Sequence, residues 1–278
     1  MLILLSPAKA LDFDSAVPSM PSTLPRLLDQ SVALAAVMQT KSVAEVAALQ
    51  HLSDELAALN VQRWADFAVP FPDGAARPAI FAFNGDAYQG LAARERFTDQ
   101  DYQRAQTSLR ILSGLYGVLR PLDLILAYRL EMGTRLTTDR GASLYQWWGE
   151  RITDQLRADL AESGGERAVV NLASTEYFSA VQPQRLDAPV ITPRFEDTNA
   201  RGRRSVISFY AKRARGEMAA WLITNAISAT SELLAFDRAG YRYDQASSSP
   251  TAPVFVRPFA DRVASSGLRP DQPAAGSS

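Results

Sequence analysis

Leu2-Ile-Leu-Leu-Ser-Pro-Ala-Lys-Ala-Leu-Asp-Phe13 opens the chain apolar and then stops short. Aliphatic residues in an unbroken run, closed by Ser6-Pro7, read as a short strand buried on both faces. Working outward, a proline-punctuated loop runs to Pro25, and residues 26–38 and 43–68 carry apolar residues at helical spacing. Ser42 followed by Glu45 has the pattern of a capping box. Residues 79–83 read as a second strand, delivering the turn Asn84-Gly85-Asp86. Thr98 with Asp101 caps a helix expected to run through Ser113, and Ser143 caps another over 144–161. Strands are expected at 128–133, 169–172, 190–195 and 205–210, a short helix at 174–181 and a longer one at 212–226. Strands and helices interleave without a regular βαβ beat. The expected fold is therefore α+β: a single domain over 1–260 with a mixed sheet surrounded by helices. Residues 261–278, rich in Ser, Gly, Pro and Ala, read as a disordered tail.

Composition prunes the chemistry. The 278 residues carry no cysteine and one histidine, with a net charge of -1. Disulfides, Fe–S clusters, thiolate zinc sites and thiol peroxidase chemistry are all excluded. His51 sits beside a helical apolar stripe and reads as a surface residue rather than a ligand. A carboxylate-only magnesium site stays open by composition, but no metal site and no cofactor are expected. A near-neutral chain binds nucleic acid only through a local patch. No apolar run has the ~20 residues of a membrane span, and no secretory pattern is visible, so the expected location is cytoplasmic. Of 29 basic residues only three are lysine: Lys9, Lys41 and Lys212. An ammonium is a compact point charge where arginine is a planar fork. Surviving lysines at 9 and 212 therefore suggest anionic sites too narrow for arginine, with chance as the plain alternative.

Several stretches could carry chemistry. In Leu109-Arg-Ile-Leu-Ser-Gly-Leu-Tyr-Gly-Val-Leu-Arg-Pro121 the glycines at 114 and 117 could form a hairpin between helices, aiming amides at a phosphate with Arg120 beside them. Alternatively, Gly114 is a helix C-cap. Between Arg201 and Arg215 fall six basic and no acidic residues, with Phe209 and Tyr210 interleaved. That composition suits a phosphate-binding face or a merely solvated one. Asn84 and Asp86 sit at a turn that could contact a ligand, and Arg129 and Glu131 would share one face of a strand. Asn171-Leu-Ala-Ser-Thr-Glu-Tyr177 has the form of a strand end with Ser174 as N-cap.

In this order, the stretches resemble the YaaA family of peroxide-stress resistance proteins. The likeness rests on Leu5-Ser-Pro-Ala-Lys9, Phe83-Asn-Gly-Asp86, Ile111-Leu-Ser-Gly-Leu-Tyr-Gly117, Leu119-Arg-Pro121, Tyr128-Arg-Leu-Glu-Met-Gly133, Asn171-Leu-Ala-Ser174, Tyr210-Ala-Lys212 and Ala214-Arg-Gly216. It extends from residue 1 to about 258. The resemblance implies protection against oxidative damage, an association with limiting intracellular iron, and a positively charged cleft. It also implies a helix-hairpin-helix element that binds double-stranded DNA without reading sequence. On this chain the hairpin would be 112–121, with Gly114, Gly117 and Arg120, and the cleft would draw on Lys9, Arg129, Lys212, Arg213 and Arg215.

Two functional readings remain at this point. One is a DNA-binding stress protein that engages backbone. The other is an enzyme of nucleotide or nucleobase chemistry, holding a small phosphorylated ligand among Lys9, Asn84, Asp86, Arg129, Glu131 and Lys212. No catalytic residue stands out. Lys9, Asn84, Arg129 and Lys212, each at or near the end of an expected strand, are expected to converge in space.

Overall fold

The structure, a computed structural model, describes residues 1–266. Among them are twelve α-helices and eleven strands: β1 (Leu2–Leu5), β2 (Arg77–Pro78), β3 (Leu109–Ser113), β4 (Gly117–Leu119), β5 (Leu124–Ile125), β6 (Val169–Asn171), β7 (Val190–Ile191), β8 (Arg194–Thr198), β9 (Arg204–Ser205), β10 (Arg242–Tyr243) and β11 (Val254–Arg257). They build a five-stranded sheet in the order β4-β3-β1-β6-β7, a four-stranded sheet β10-β11-β8-β9, and the ribbon β2-β5. The fold is mixed α/β in one domain, with several sheets rather than one.

β1 is the centre of the larger sheet. It runs parallel to β3 on one side, with Ile3 opposite Leu109, and parallel to β6 on the other, with Leu2 opposite Val169. All four of its residues are buried, as a continuous aliphatic run demands. β7 continues the parallel set, and only β4 is antiparallel. The chain leaves β1 for one neighbour and later returns to the other, so the strand order reverses beside β1. In open α/β sheets such a reversal opens a crevice at the carboxyl ends of the strands.

Local signals held where a cap carried them. Ser42 and Glu45 close a capping box on the helix Val43–Gln50, and Thr98 and Asp101 do so on Asp99–Ser108. The long helix expected over 43–68 is two, Val43–Gln50 and Asp54–Ala65. His51 takes a left-handed conformation between them, and Ser53 caps the second. Likewise 144–161 divides at Gly149, whose φ is +50°.

Other expectations are corrected. Residues 79–82 are helical rather than a strand. The segment 128–133 is not a strand: 128–131 have no regular secondary structure and 132–133 form a turn. At 205–210 the chain leaves β9 and starts the helix Ser208–Thr224, so the expected strand is mostly helix. The helix expected through Ser113 ends at Ser108, and β3 follows. Arg110 lies in the middle of that strand with its side chain 3% exposed, ion-paired to Asp159, which also receives Arg26. A buried guanidinium is tolerable only with such a partner, and Asp159 is 49 residues away in sequence. The final helix, Phe259–Ser266, reaches past the start of the expected tail; the rest of that tail, 267–278, lies outside the described residues.

The proposed hairpin between helices is a β-hairpin. β3 and β4 pair antiparallel with Ser113 opposite Gly117. Its glycines serve packing. A Cβ on Gly114 would stand 2.1 Å from the Leu130 carbonyl oxygen, and one on Gly117, at φ +69°, would stand 2.8 Å from the Trp148 ring. The Trp148 indole N–H donates to the Gly114 carbonyl at 2.9 Å. Both glycines are buried.

The helices Asp86–Leu91 and Ser208–Thr224 cross at backbone contact. A Cβ on Gly216 would fall 1.8 Å from the Ala87 carbonyl oxygen, and one on Gly90 would fall 2.1 Å from that of Arg213. Beside the crossing, Arg96 grips the buried Glu217 through two hydrogen bonds of 2.6 and 3.0 Å and also donates to the Gly90 carbonyl. Gly216→Ala is expected to lower unfolding free energy by about 3 kcal/mol or more, because backbone must move. Gly164→Ala, where nothing lies within 4 Å, should be nearly neutral. Urea titration of both variants checks this, and equal losses would contradict it.

Candidate functional site

A cleft of about 450 Å³ opens at the carboxyl ends of β1 and β6. Three stretches far apart in sequence form its walls. After β1 come residues 6–10; after β6 come Leu172, Ser174, Glu176 and Tyr177; and the run 128–131 crosses between. The fourth wall is the helix crossing, with Asp86 and Ala87 from one helix and Lys212 and Arg215 from the other. Lys212 and Arg215 are three residues apart on a helix and therefore project from one face.

Of the residues singled out from sequence, Lys9, Asp86, Arg129, Glu131, Lys212 and Arg215 line this cleft together. Asn84 does not. It lies across the Asn84-Gly85 turn, facing a neighbouring cavity with Asp12, Gln89 and Arg94, and its backbone N–H donates to the Ala10 carbonyl at 2.9 Å. Arg213 is exposed and does not line the cleft. Gly114 and Gly117 are buried under Trp148 and Leu130. Arg120 is held by Asp123, at 2.8 Å, and by the Leu24 carbonyl, so it too is outside the cleft.

The cleft's charges are mixed: four cations face the carboxylates of Asp86, Glu131 and Glu176. One Glu131 oxygen accepts from Arg129 Nε at 3.1 Å and lies 3.4 Å from Lys9 Nζ, although the Lys9 side chain is 68% exposed. Glu176 accepts from the Gly133 amide at 2.9 Å. Among the described residues no carboxylate oxygen lies within 4 Å of the Lys212 ammonium or the Arg215 guanidinium. Burial alone pushes the Arg215 pKa below the ordinary arginine value. A cation that has lost water without gaining a counter-charge is an open seat for an anion.

The floor adds residues that sequence reading passed over. Ser174 N–H donates to Ser6 Oγ at 2.8 Å, tying the β6 end to the β1 end. Tyr88 donates to the Ser6 carbonyl at 3.1 Å, and the Tyr128 hydroxyl shares a 2.6 Å hydrogen bond with Ser113. Burial pushes Tyr88, Tyr128 and Tyr177 well above the ordinary phenol pKa, so all three are neutral rings and hydroxyls. Behind the wall, Gln50 of the helix pair Val43–Gln50 and Asp54–Ala65 donates to the Arg129 carbonyl at 2.7 Å. Arg63 of the same pair lies close enough to Arg129 for like-charge repulsion to add to burial in lowering its pKa. Among the described residues no group of three or more histidine, aspartate or glutamate side chains could hold a metal ion. No single helix among them is long and apolar enough to cross a membrane.

A family model described as "Peroxide stress protein YaaA" matches residues 1–247. The chain belongs to the YaaA peroxide-stress family. Several similar curated relatives carry the name UPF0246 protein. One from Shewanella halifaxensis is 49% identical over 257 residues, covering 92% of this chain and 99% of the relative. Another from Laribacter hongkongensis is 49% identical over 259 residues with the same coverage, and one from Alcanivorax borkumensis is 48% identical over 258.

In this YaaA-family chain Glu131 neutralises two cations at once. Glu131→Gln should free Lys9 and Arg129 and tighten binding of inorganic phosphate or polyphosphate by about three- to tenfold at low salt, with the gain fading as salt screens it. Isothermal titration reads the difference, and weaker binding in the variant would contradict the assignment.

Proposed function

We propose that this protein acts in protection against peroxide by binding the phosphate backbone of double-stranded DNA across the Lys9–Lys212 cleft, in association with limiting intracellular iron. The observation that carries the binding reading is the pair Lys212 and Arg215, which line the cleft with no carboxylate oxygen within 4 Å among the described residues. Lys9 and Arg129, which share Glu131, line the same cleft from two other walls, and Arg201, Arg203 and Arg213 are exposed near Lys212 in sequence. The helix pair Val43–Gln50 and Asp54–Ala65, joined by the turn at 51–53, stands behind Arg129 and replaces the 112–121 hairpin as the two-helix element of the reading.

Peroxide protection fits a sequence-blind grip. A chain without cysteine has no thiol to spend on peroxide, so it acts on the target molecule or on the iron that drives the damage. Contacts through ammonium and guanidinium groups to phosphates carry no base information. Affinity should fall linearly with the logarithm of salt concentration, and each lost phosphate contact should reduce the slope by about one unit.

Lys212→Ala and Lys9→Ala are each expected to weaken binding of random-sequence duplex uniformly and to lower the salt slope by about one. Arg120→Ala should leave both unchanged, since Asp123 already occupies that guanidinium. Fluorescence anisotropy across a salt series reads all three. No duplex binding by the wild-type protein at low salt would overturn the reading.

A further inference from the structure

The cleft is deeper than a backbone grip needs. Phosphates of a duplex touch a rim, and Lys9 is such a rim residue by its exposure. Arg215 is not: it sits lower on the helix, half-buried, beside Ala87 and the neutral tyrosines of the floor. Asp86 at the same level has no hydrogen-bond or ion-pair partner among the described residues. The lining therefore combines a partly dehydrated cation, aromatic rings and an unengaged carboxylate within about 450 Å³. That volume lies inside the range of roughly 300–1,000 Å³ typical of small-molecule pockets. It also sits beside the strand where the sheet order reverses, the usual place for nucleotides in such sheets.

We propose that the floor of this cleft is a seat for a single nucleoside monophosphate unit. Arg215 and Lys212 take the phosphate, a tyrosine of the floor packs against the base, and Asp86 accepts from a sugar hydroxyl or a base amine. Each part matches a lining group. An arginine meets phosphate through parallel N–H donors, a neutral phenol ring offers an apolar face, and carboxylates pair with ribose hydroxyls or exocyclic amines. The nucleotide can reach the seat in two ways: free in solution, or swung out of a duplex held at the rim, at the cost of its unstacking. Only the second route rests on the duplex-binding reading.

Two titrations test it. In the first, nucleoside 5′-monophosphates and the matching nucleosides are added to wild-type protein, read by calorimetry. Saturable binding that requires the phosphate, weakened about tenfold or more in Arg215→Gln by loss of a charge-assisted contact, supports a free nucleotide. In the second, a duplex carrying 2-aminopurine opposite an abasic site is titrated with protein. A rise in 2-aminopurine fluorescence that Ala87→Trp abolishes, while anisotropy still reports duplex binding, supports the extrahelical unit. Ala87 lines the cleft, so Ala87→Trp narrows the seat while every cation of the chain is kept, and it should also block the free monophosphate. If Arg215→Gln does not fold, the Ala87→Trp comparison decides alone. Duplex binding with neither monophosphate binding nor a fluorescence rise overturns the seat and leaves the backbone reading standing. Monophosphate binding without duplex binding does the reverse.

Discussion

The backbone contact between the helices Asp86–Leu91 and Ser208–Thr224 is the constraint on which the cleft depends. Gly216 lies under the Ala87 carbonyl and Gly90 under that of Arg213, so neither position tolerates even a methyl group without main-chain movement. This contact fixes the depth at which Lys212 and Arg215 enter the cleft, and it sets Asp86 opposite them. The Arg96–Glu217 pair closes beside it and neutralises a carboxylate buried at the crossing. Helix packing and site electrostatics are in this way one arrangement.

β1 supplies the other half. Its run of aliphatic residues can be satisfied only at the centre of a sheet, and that position places residues 6–10 at the strand-order reversal. Ser6 then bridges to Ser174 and Tyr88, so three segments are pinned where the cleft needs them. The molecule separates its charges by depth. Arg110 and Arg257 are buried and paired with Asp159 and Asp197, where a lone charge would be costly. At the cleft, Lys9 and Arg129 share Glu131, while no carboxylate oxygen among the described residues comes within 4 Å of the Lys212 or Arg215 charge.

How legible this was in the sequence depended on how local the cause was. The buried opening strand, the capping boxes at Ser42 and Thr98 and the turn after Phe83 are written in neighbouring residues. The scarcity of lysine pointed to Lys9 and Lys212, which share the cleft. What failed were features with distant causes. The helix capped at Thr98 reads as running through Ser113, across β3, where Arg110 is buried against Asp159, a partner far along the chain. Gly114 and Gly117 looked like a phosphate hairpin because the Trp148 ring that needs the space cannot be inferred from the glycines. The start of the helix at Ser208 was missed because Val206, Ile207 and Phe209 suggested a core strand, whereas Val206 and Phe209 are exposed. Arg213 and Arg215 looked equivalent until helical phase put one outside and the other inside.

With only three lysines, the chain offers a direct reading of the central claim that one cleft holds the phosphate. Reductive methylation with ¹³C-formaldehyde keeps each lysine charged and gives one methyl resonance per lysine beside that of the terminal amine. On titration with duplex DNA, the Lys9 and Lys212 resonances should shift together along a single binding isotherm, and Lys212→Ala should diminish the Lys9 shift. Duplex binding that leaves both resonances still, or that moves them at clearly different concentrations, would contradict the account.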